Sequence, residues 1–226
     1  MSQDHTKERQ YQIMLEYRDK RGLETLGLMT NQAWYDDPKR LTFTLSRYKL
    51  VGKMLSGCNH VLEVGCADAF GTRIVVQEVK QLTAVDFDPL FVEDANARMS
   101  DRLKFTCFVH DVLKSPVPGE FDGIYALDVL EHILPENEDV FLLNMMASLT
   151  PHGTFIIGMP SLESQAYASP LSKEGHVNCK TMPDLKKTMQ RYFHNVFMFS
   201  MNDEVVHTGY HKMANYLFAL CCGKKT

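Results

Sequence analysis

Three groups of residues have types and spacings that suit chemistry. The first lies in His60-Val-Leu-Glu-Val-Gly-Cys-Ala-Asp-Ala-Phe-Gly-Thr72. The apolar run Val61-Leu62-Glu63-Val64 reads as a buried strand. Gly65, Ala67, Ala69 and Gly71 then put small residues at alternate positions, and Ile74-Val75-Val76 opens a helical pattern. A strand that turns into a helix through small residues admits a ligand close to the backbone and aims helix N-terminal amides at it. Glu63 is a carboxylate inside an apolar strand, costly unless hydrogen-bonded, so it holds either the turn or a ligand group. Asp86 stands twenty-one residues after Gly65, at the end of Leu82-Thr-Ala-Val85. An acidic side chain at about that distance grips a ribose diol in dinucleotide-type sites.

The second group is Asp128-Val-Leu-Glu131-His132. On one helical turn its members at i, i+3 and i+4 share a face, and their mixed O and N donors suit a hard or borderline divalent ion. The alternative is that Glu131 and His132 brace the cleft floor through hydrogen bonds. The third is His176, within Ser169-Pro-Leu-Ser-Lys-Glu-Gly-His-Val-Asn-Cys-Lys-Thr181. An imidazole with an ordinary pKa of about 6.5 suits removal of a proton from a hydroxyl or ammonium group; it equally suits tying the loop to the core. His207, Tyr210 and His211 fit an acceptor mouth or a solvated loop, and His194 reads as surface. Arg47, Lys49 and Lys53 offer either a phosphate grip or a solvated helix face.

Val-Leu-Glu-Val-Gly-Cys-x-x-x-x-Gly followed by Val85-Asp86-Phe87-Asp88 resembles motifs I and II of class I S-adenosylmethionine-dependent methyltransferases. Asp128-Val-Leu-Glu-His resembles a segment of the ubiquinone-biosynthesis-like and related small-molecule methyltransferases. Leu149-Thr-Pro-His152-Gly153 is similar to the family's Leu-x-Pro-Gly-Gly turn, with His152 in the first glycine's place. The resemblance covers residues 41 to about 193 and implies S-adenosylmethionine as cofactor, with S-adenosylhomocysteine as product. The implied cofactor contacts are Glu63, Gly65, Ala67, Gly71, Asp86, Phe87, Asp111, Val112, Leu127 and Asp128. Gly65 and Ala67 would face the methionine half, Asp86 both ribose hydroxyls, Asp111 the adenine amine, and Leu127 and Asp128 the sulfonium. His176 and His132 are the implied catalytic residues and no metal is assigned. An extension ahead of the first strand often covers the cleft in this family, which implies Trp34, Tyr35 and Tyr48 as substrate contacts beside His207, Tyr210 and His211. The family's loop glycines are Ala67 and Ala69 here. Alanine excludes positive φ more than glycine does, so right-handed or extended conformations are expected at both, with Gly65 and Gly71 supplying any unusual ones.

The elements that must position these residues follow from periodicity. Residues 3–21 and the pattern from Leu41 to Met54 read as helices, with Asp37 capping and Pro38 in the first turn. Strands are expected at 60–64, 81–86, 103–109, 121–126 and 153–159, with helices at 71–79, 89–99 and 136–148 and a short turn near 128–133. A loop at 161–170, a helix at 183–193 and strands at 196–200 and 216–220 complete the pattern, with 202–211 looping between the last two strands. Strands alternating with helices argue for right-handed parallel crossovers. The expected fold is α/β, a Rossmann-like, mostly parallel seven-stranded sheet with helices on both faces and an antiparallel last strand. Residues 1–58 form a helical extension or lid and 59–226 the core, with acceptor-site insertions near 160–182 and 201–212.

At 226 residues, 45% hydrophobic and 23% charged, the chain suits one α/β domain with an extension. A net charge of −4 and the lack of a basic stripe argue against nucleic acid. No apolar run spans a bilayer and no signal-peptide core is present. The six cysteines lack metal-type spacing and read as free thiols. The expectation is a cytoplasmic enzyme, monomer or homodimer, with a small-molecule partner, no nucleic acid and no membrane. The favoured reaction is O-methylation of a sugar or secondary-metabolite hydroxyl. The alternatives are N-methylation of a small phosphorylated amine, an NAD-dependent oxidoreductase, or a non-catalytic cofactor-binding protein.

Overall fold

The computed structural model describes residues 4–102 and 104–225. It opens with three helices, α1 (Gln12–Arg21), α2 (Leu28–Asp36) and α3 (Lys39–Met54). The Rossmann-like part follows as β1 (His60–Val64), α4 (Thr72–Val76), β2 (Gln81–Asp86), α5 (Pro89–Ala97), β3 (Thr106–Val109), β4 (Phe121–Leu127), α6 (Glu138–Ala147) and β5 (Leu149–Pro160). The chain ends with α7 (Pro170–Gly175), α8 (Met182–Gln190), β6 (Phe193–Asn202), β7 (Val205–His207) and β8 (Tyr216–Lys224). Short 3₁₀ turns stand at Arg9–Tyr11, Leu130–His132, Pro135–Asn137, Glu163–Tyr167 and His211–Met213.

The strands form one sheet in the order β3-β2-β1-β4-β5-β8-β6-β7. The pairings β1·β2, β1·β4, β2·β3 and β4·β5 are parallel, and β8 runs antiparallel between β5 and β6. The chain winds outward from β1 to β3, then crosses back to β4. The carboxyl ends of β1 and β4 therefore flank a switch point, where open α/β sheets bind ligands.

Alternation along the strands builds a core on each face. Leu62, Val64, Ile124 and Phe155 pack with Phe141 and Met145 of α6 and with Leu185 and Met189 of α8. Val61, Ala84 and Tyr125 pack on the other face with Val51 of α3, Val75 of α4 and Val92 of α5. Each fully buried large apolar side chain contributes about 1.5–3 kcal/mol. Within β1 this alternation turns Glu63 toward α3, where a carboxylate has to find polar company.

The expected α/β architecture holds, with helices on both faces. The sheet has eight strands among the described residues where seven were expected. The extra one is β7, in the segment read as a loop: Asn202 pairs Val205 across a tight turn in which Asp203 takes φ 50°. The expected strand at 103–109 begins at Thr106, and Leu103 lies outside the described residues. Of the helix expected at 3–21, Gln3 lies outside the described residues, and α1 itself buries no residue. The loop expected at 161–170 holds a 3₁₀ turn and leads into α7, where Ser169 caps Ser172 N with Pro170 in the first turn. Asp37 Oδ1 accepts from Lys39 N at 3.2 Å, in the manner of the expected cap.

Candidate active site

The turn after β1 is held by the end of β2. Gly65 N and Cys66 N both donate to Val85 O, at 2.8 and 3.1 Å. Asp86 Oδ2 accepts from Ala67 N at 2.8 Å and Oδ1 from Asp88 N at 3.0 Å. A carboxylate has about four acceptor positions, so both oxygens keep a lone pair for a diol. The left-handed conformations of this loop fall at Gly65 (φ 76°), Ala67 (φ 45°) and Ala69 (φ 51°). This corrects the expectation for the two alanines. Gly71 is right-handed at φ −69° and is small for another reason: an added Cβ would overlap the ring of Tyr48. Gly65 is constrained twice, by its φ and by Val129, whose methyl occupies the space a Cβ would need.

Glu63 sits beneath this turn. Thr72 Oγ1 donates to its Oε2 at 2.6 Å. Burial pushes its pKa up to about 7, against the stabilising hydroxyls of Thr72, Tyr125 and Tyr48. Its Oε2 thus holds the turn, while Oε1 is buried without a partner.

A cavity of about 610 Å³ opens at the switch point. Among the expected cofactor contacts, Gly65, Ala67, Asp86, Phe87, Asp111, Val112 and Asp128 line it, and His132 joins them. Glu63, Gly71 and Leu127 are not among the residues that line it. Met29, Phe91, His110, Val129, Ile133 and Phe141 also line it. Met29 arrives from α2, which periodicity did not give, and Phe91 from the expected helix α5, where its residue type alone carried no signal for the cavity. Asp111 folds onto its own turn, accepting from Leu113 N at 3.0 Å.

The β4 end is tied to the N-terminal helices. Asp128 takes φ 56° and receives Arg47 Nη1 from α3 on both oxygens, at 3.0 and 2.7 Å. The Arg47 guanidinium also stacks 3.9 Å over the Tyr216 ring. Arg47 is thus engaged within the protein, and Lys53 pairs with Glu78; Lys49 lies on a separate groove.

Beside Asp128 the chain brings Glu131, His132 and His176 together, with one ligand atom from each lying within 4.8 Å of the others. Glu131 is fully buried, and neither carboxylate oxygen has a hydrogen-bond partner. Burial, reinforced by the Asp128 charge, holds its pKa well above the usual carboxylate range. His132 Nδ1 faces Gly175 O at 2.9 Å and His176 Nδ1 faces Gln165 Oε1 at 2.8 Å. Each of those oxygens only accepts, so each imidazole carries its proton on Nδ1 and leaves the Nε2 lone pair free. Burial and the neighbouring His132 lower the pKa of His176, which keeps it neutral at physiological pH. Gln165 had no marker in the sequence.

The expected substrate contacts disperse. Trp34 lines a second groove of about 630 Å³ with Leu41, Lys49 and Phe70. Tyr35 is fully exposed, and Tyr48 is buried against Gly71. His207 uses both ring nitrogens locally, facing Asn202 Oδ1 at 2.8 Å and Gly209 N at 3.0 Å. Tyr210 is exposed beside His211, whose Nδ1 is buried without a partner.

Residues 62–157, from β1 into β5, match the family described as methyltransferase domain. The stretch from β1 into β5 is thus similar to a methyltransferase domain. The NAD-dependent oxidoreductase alternative falls with that match. The ubiquinone biosynthesis O-methyltransferase of Xanthomonas campestris pv. campestris (strain B100) is 24% identical over 160 residues, 65% of this chain and 63% of that protein. This chain therefore spans less than two thirds of that relative's length. Nodulation protein S of Bradyrhizobium diazoefficiens is 27% identical over 142 residues, 60% of this chain and 68% of that protein. The N-methyltransferase NodS of Bradyrhizobium japonicum WM9, solved with S-adenosyl-L-homocysteine, superposes with TM-score 0.61 at 21% identity, over 84% of this chain and 90% of that one. At that identity the likeness speaks for the fold. As the resemblance implies, the ends of β1, β2 and β4 line the candidate cavity. Among the described residues no helix is long and apolar enough to cross a membrane.

Proposed function

We propose that the chain transfers the methyl group of S-adenosylmethionine to a hydroxyl of a small polar metabolite, a sugar or secondary metabolite, in the cytoplasm. The observation that carries this reading is the convergence of Gly65, Ala67, Asp86, Asp111 and Asp128 on one cavity. Asp86 grips the ribose diol, Asp111 the adenine amine, and the Gly65–Ala67 turn the methionine half. The acceptor oxygen attacks the methyl carbon in line as the carbon–sulfur bond breaks, leaving S-adenosylhomocysteine. Such a step needs alignment and a route for the acceptor's proton. His176 Nε2, unprotonated and beside the cavity-lining His132, takes that proton. The ubiquinone biosynthesis relatives are named O-methyltransferases and NodS an N-methyltransferase; His176, its pKa lowered by burial and oriented through Nδ1, supports the hydroxyl.

One observation favours a second reading of the same histidines. Glu131 is an orphaned buried carboxylate facing two imidazoles whose Nε2 atoms are free. Both imidazoles are oriented through Nδ1 by oxygen acceptors, the arrangement that prepares a histidine for metal. These residues fit a divalent cation, held by Glu131, His132 and His176. Bound there, it would act as a Lewis acid toward an acceptor hydroxyl, and Asp128 and Arg47 would line the approach.

Release of S-adenosylhomocysteine from a panel of sugars, phenols and phosphorylated amines, with and without EDTA, tests both. Turnover of hydroxyl acceptors that survives EDTA is expected from the base mechanism, and loss with EDTA assigns the cation. Turnover of amines alone sinks the hydroxyl reading.

A further inference from the structure

We propose that Asn178 is a positioning residue that sets His176 against His132, acting through the buried carboxylate of Glu138. The proposal rests on the methyltransferase reading of those histidines. His176 sits in a loop between α7 and α8, and His132 in the 3₁₀ turn after β4, forty-four positions away in the chain. Their rings nevertheless lie 5.0 Å apart, steeply inclined at 70°. Something must fix a surface loop on that turn, and Asn178 does so twice. Its backbone N–H donates to Glu131 O at 3.0 Å, and its side-chain Nδ2 donates to Glu138 Oε2 at 2.9 Å.

Glu138 is the first residue of α6 and is buried. Lys180 Nζ reaches its Oε2 at 2.7 Å, and Arg191 Nη2 reaches Oε1 at 3.1 Å. Lys180 also donates to Asn178 Oδ1 at 3.1 Å. Asn178 therefore donates to the carboxylate and accepts from the lysine at once, a pairing that asparagine meets and aspartate does not. A buried carboxylate saturated by two cations and an amide is a rigid anchor, because removing any donor leaves charge uncompensated. The anchor lies outside the cavity and touches none of the cofactor contacts. Its effect passes to the site only through the loop and the Glu131–His132 turn.

The full-length protein tests this with Asn178→Asp, which keeps the size and the Lys180 contact but replaces the donor with a second carboxylate. Expected are an S-adenosylhomocysteine affinity equal to wild type, a kcat lower by about 10- to 100-fold and shifted imidazole ¹⁵N resonances of His132 and His176 at one fixed pH. The signals of His60 and His110 should stay in place. Adding Glu138→Gln restores a donor–acceptor pair of reversed polarity, with the introduced amide donating to the introduced carboxylate, and should recover kcat. Wild-type kcat and unmoved His132 and His176 resonances in Asn178→Asp overturn the proposal. An inactive wild type would instead sink the methyltransferase reading, and the resonances would still decide the positioning. Should Asn178→Asp fold poorly, Asn178→Ser, which removes the side-chain bridge without adding charge, gives the same readouts.

Discussion

Asp86 does two jobs with one carboxylate. It already holds Ala67 N and Asp88 N, which orients its remaining lone pairs toward the cavity before any ligand arrives. Asp86→Ala should weaken S-adenosylhomocysteine binding by roughly 1.5–3 kcal/mol through lost charge-assisted hydrogen bonds, read by titration calorimetry; unchanged affinity would contradict the assignment. Ala67 makes an opposite case. A left-handed alanine costs about 1–2 kcal/mol, and glycine gives back about 0.5–1 kcal/mol of that as unfolded-state entropy. Ala67→Gly should therefore raise unfolding stability by up to about 1 kcal/mol in urea titration, and a loss of stability would show that the methyl's packing outweighs the strain. The carboxylates and glycines of this site were legible in the sequence, because their spacing reflects short local turns. The positive φ of the two alanines was not, since it goes with hydrogen bonds that residue type does not reveal, from Ala67 N to Asp86 and from Ala69 N to Cys66 O.

At the scale of elements, the N-terminal helices are fastened to the sheet by carboxylates from later in the chain. Thr30 N donates to Asp68 Oδ2 at 2.7 Å and Leu28 N to Asp94 Oδ2 at 3.2 Å, so the first turn of α2 is capped by side chains of the cofactor loop and of α5. Arg98 bridges the Asp68 carbonyl and Asp94. Gly27 has no room for a Cβ against Asp68. Asp68→Ala leaves the Thr30 amide unpaired, a cost of about 1–3 kcal/mol. It should speed limited proteolysis within residues 22–38 while the strands stay protected; an unchanged cleavage pattern would mean that α2 is held by packing alone. Alternation and helical periodicity made the core strands and α3 legible. The turn at Asp203 lacked a glycine signal, so β7 was hidden, and α2 was hidden because its caps lie outside its own sequence.

The stability of the whole molecule carries the signature of buried acids, Glu63 and Glu131. Glu63 has its pKa raised to about 7 in the fold, against about 4.3 in an unfolded chain. Between those values the folded state holds a proton that the unfolded state has lost. Stability therefore falls as pH rises through that interval, and Glu131, raised by burial and the Asp128 charge, acts in the same direction. Glu63→Gln should flatten the slope of unfolding free energy between about pH 5 and 7; an unaltered slope would place the titration elsewhere.

The fastenings of the helical extension span 38, 66 and 81 positions, from Thr30 to Asp68, Leu28 to Asp94 and Arg47 to Asp128. Synthesis delivers the N-terminus first, and contacts distant in sequence close late. The N-terminal helices thus precede every carboxylate that fastens them, and the stacking of Arg47 on Tyr216 waits for β8.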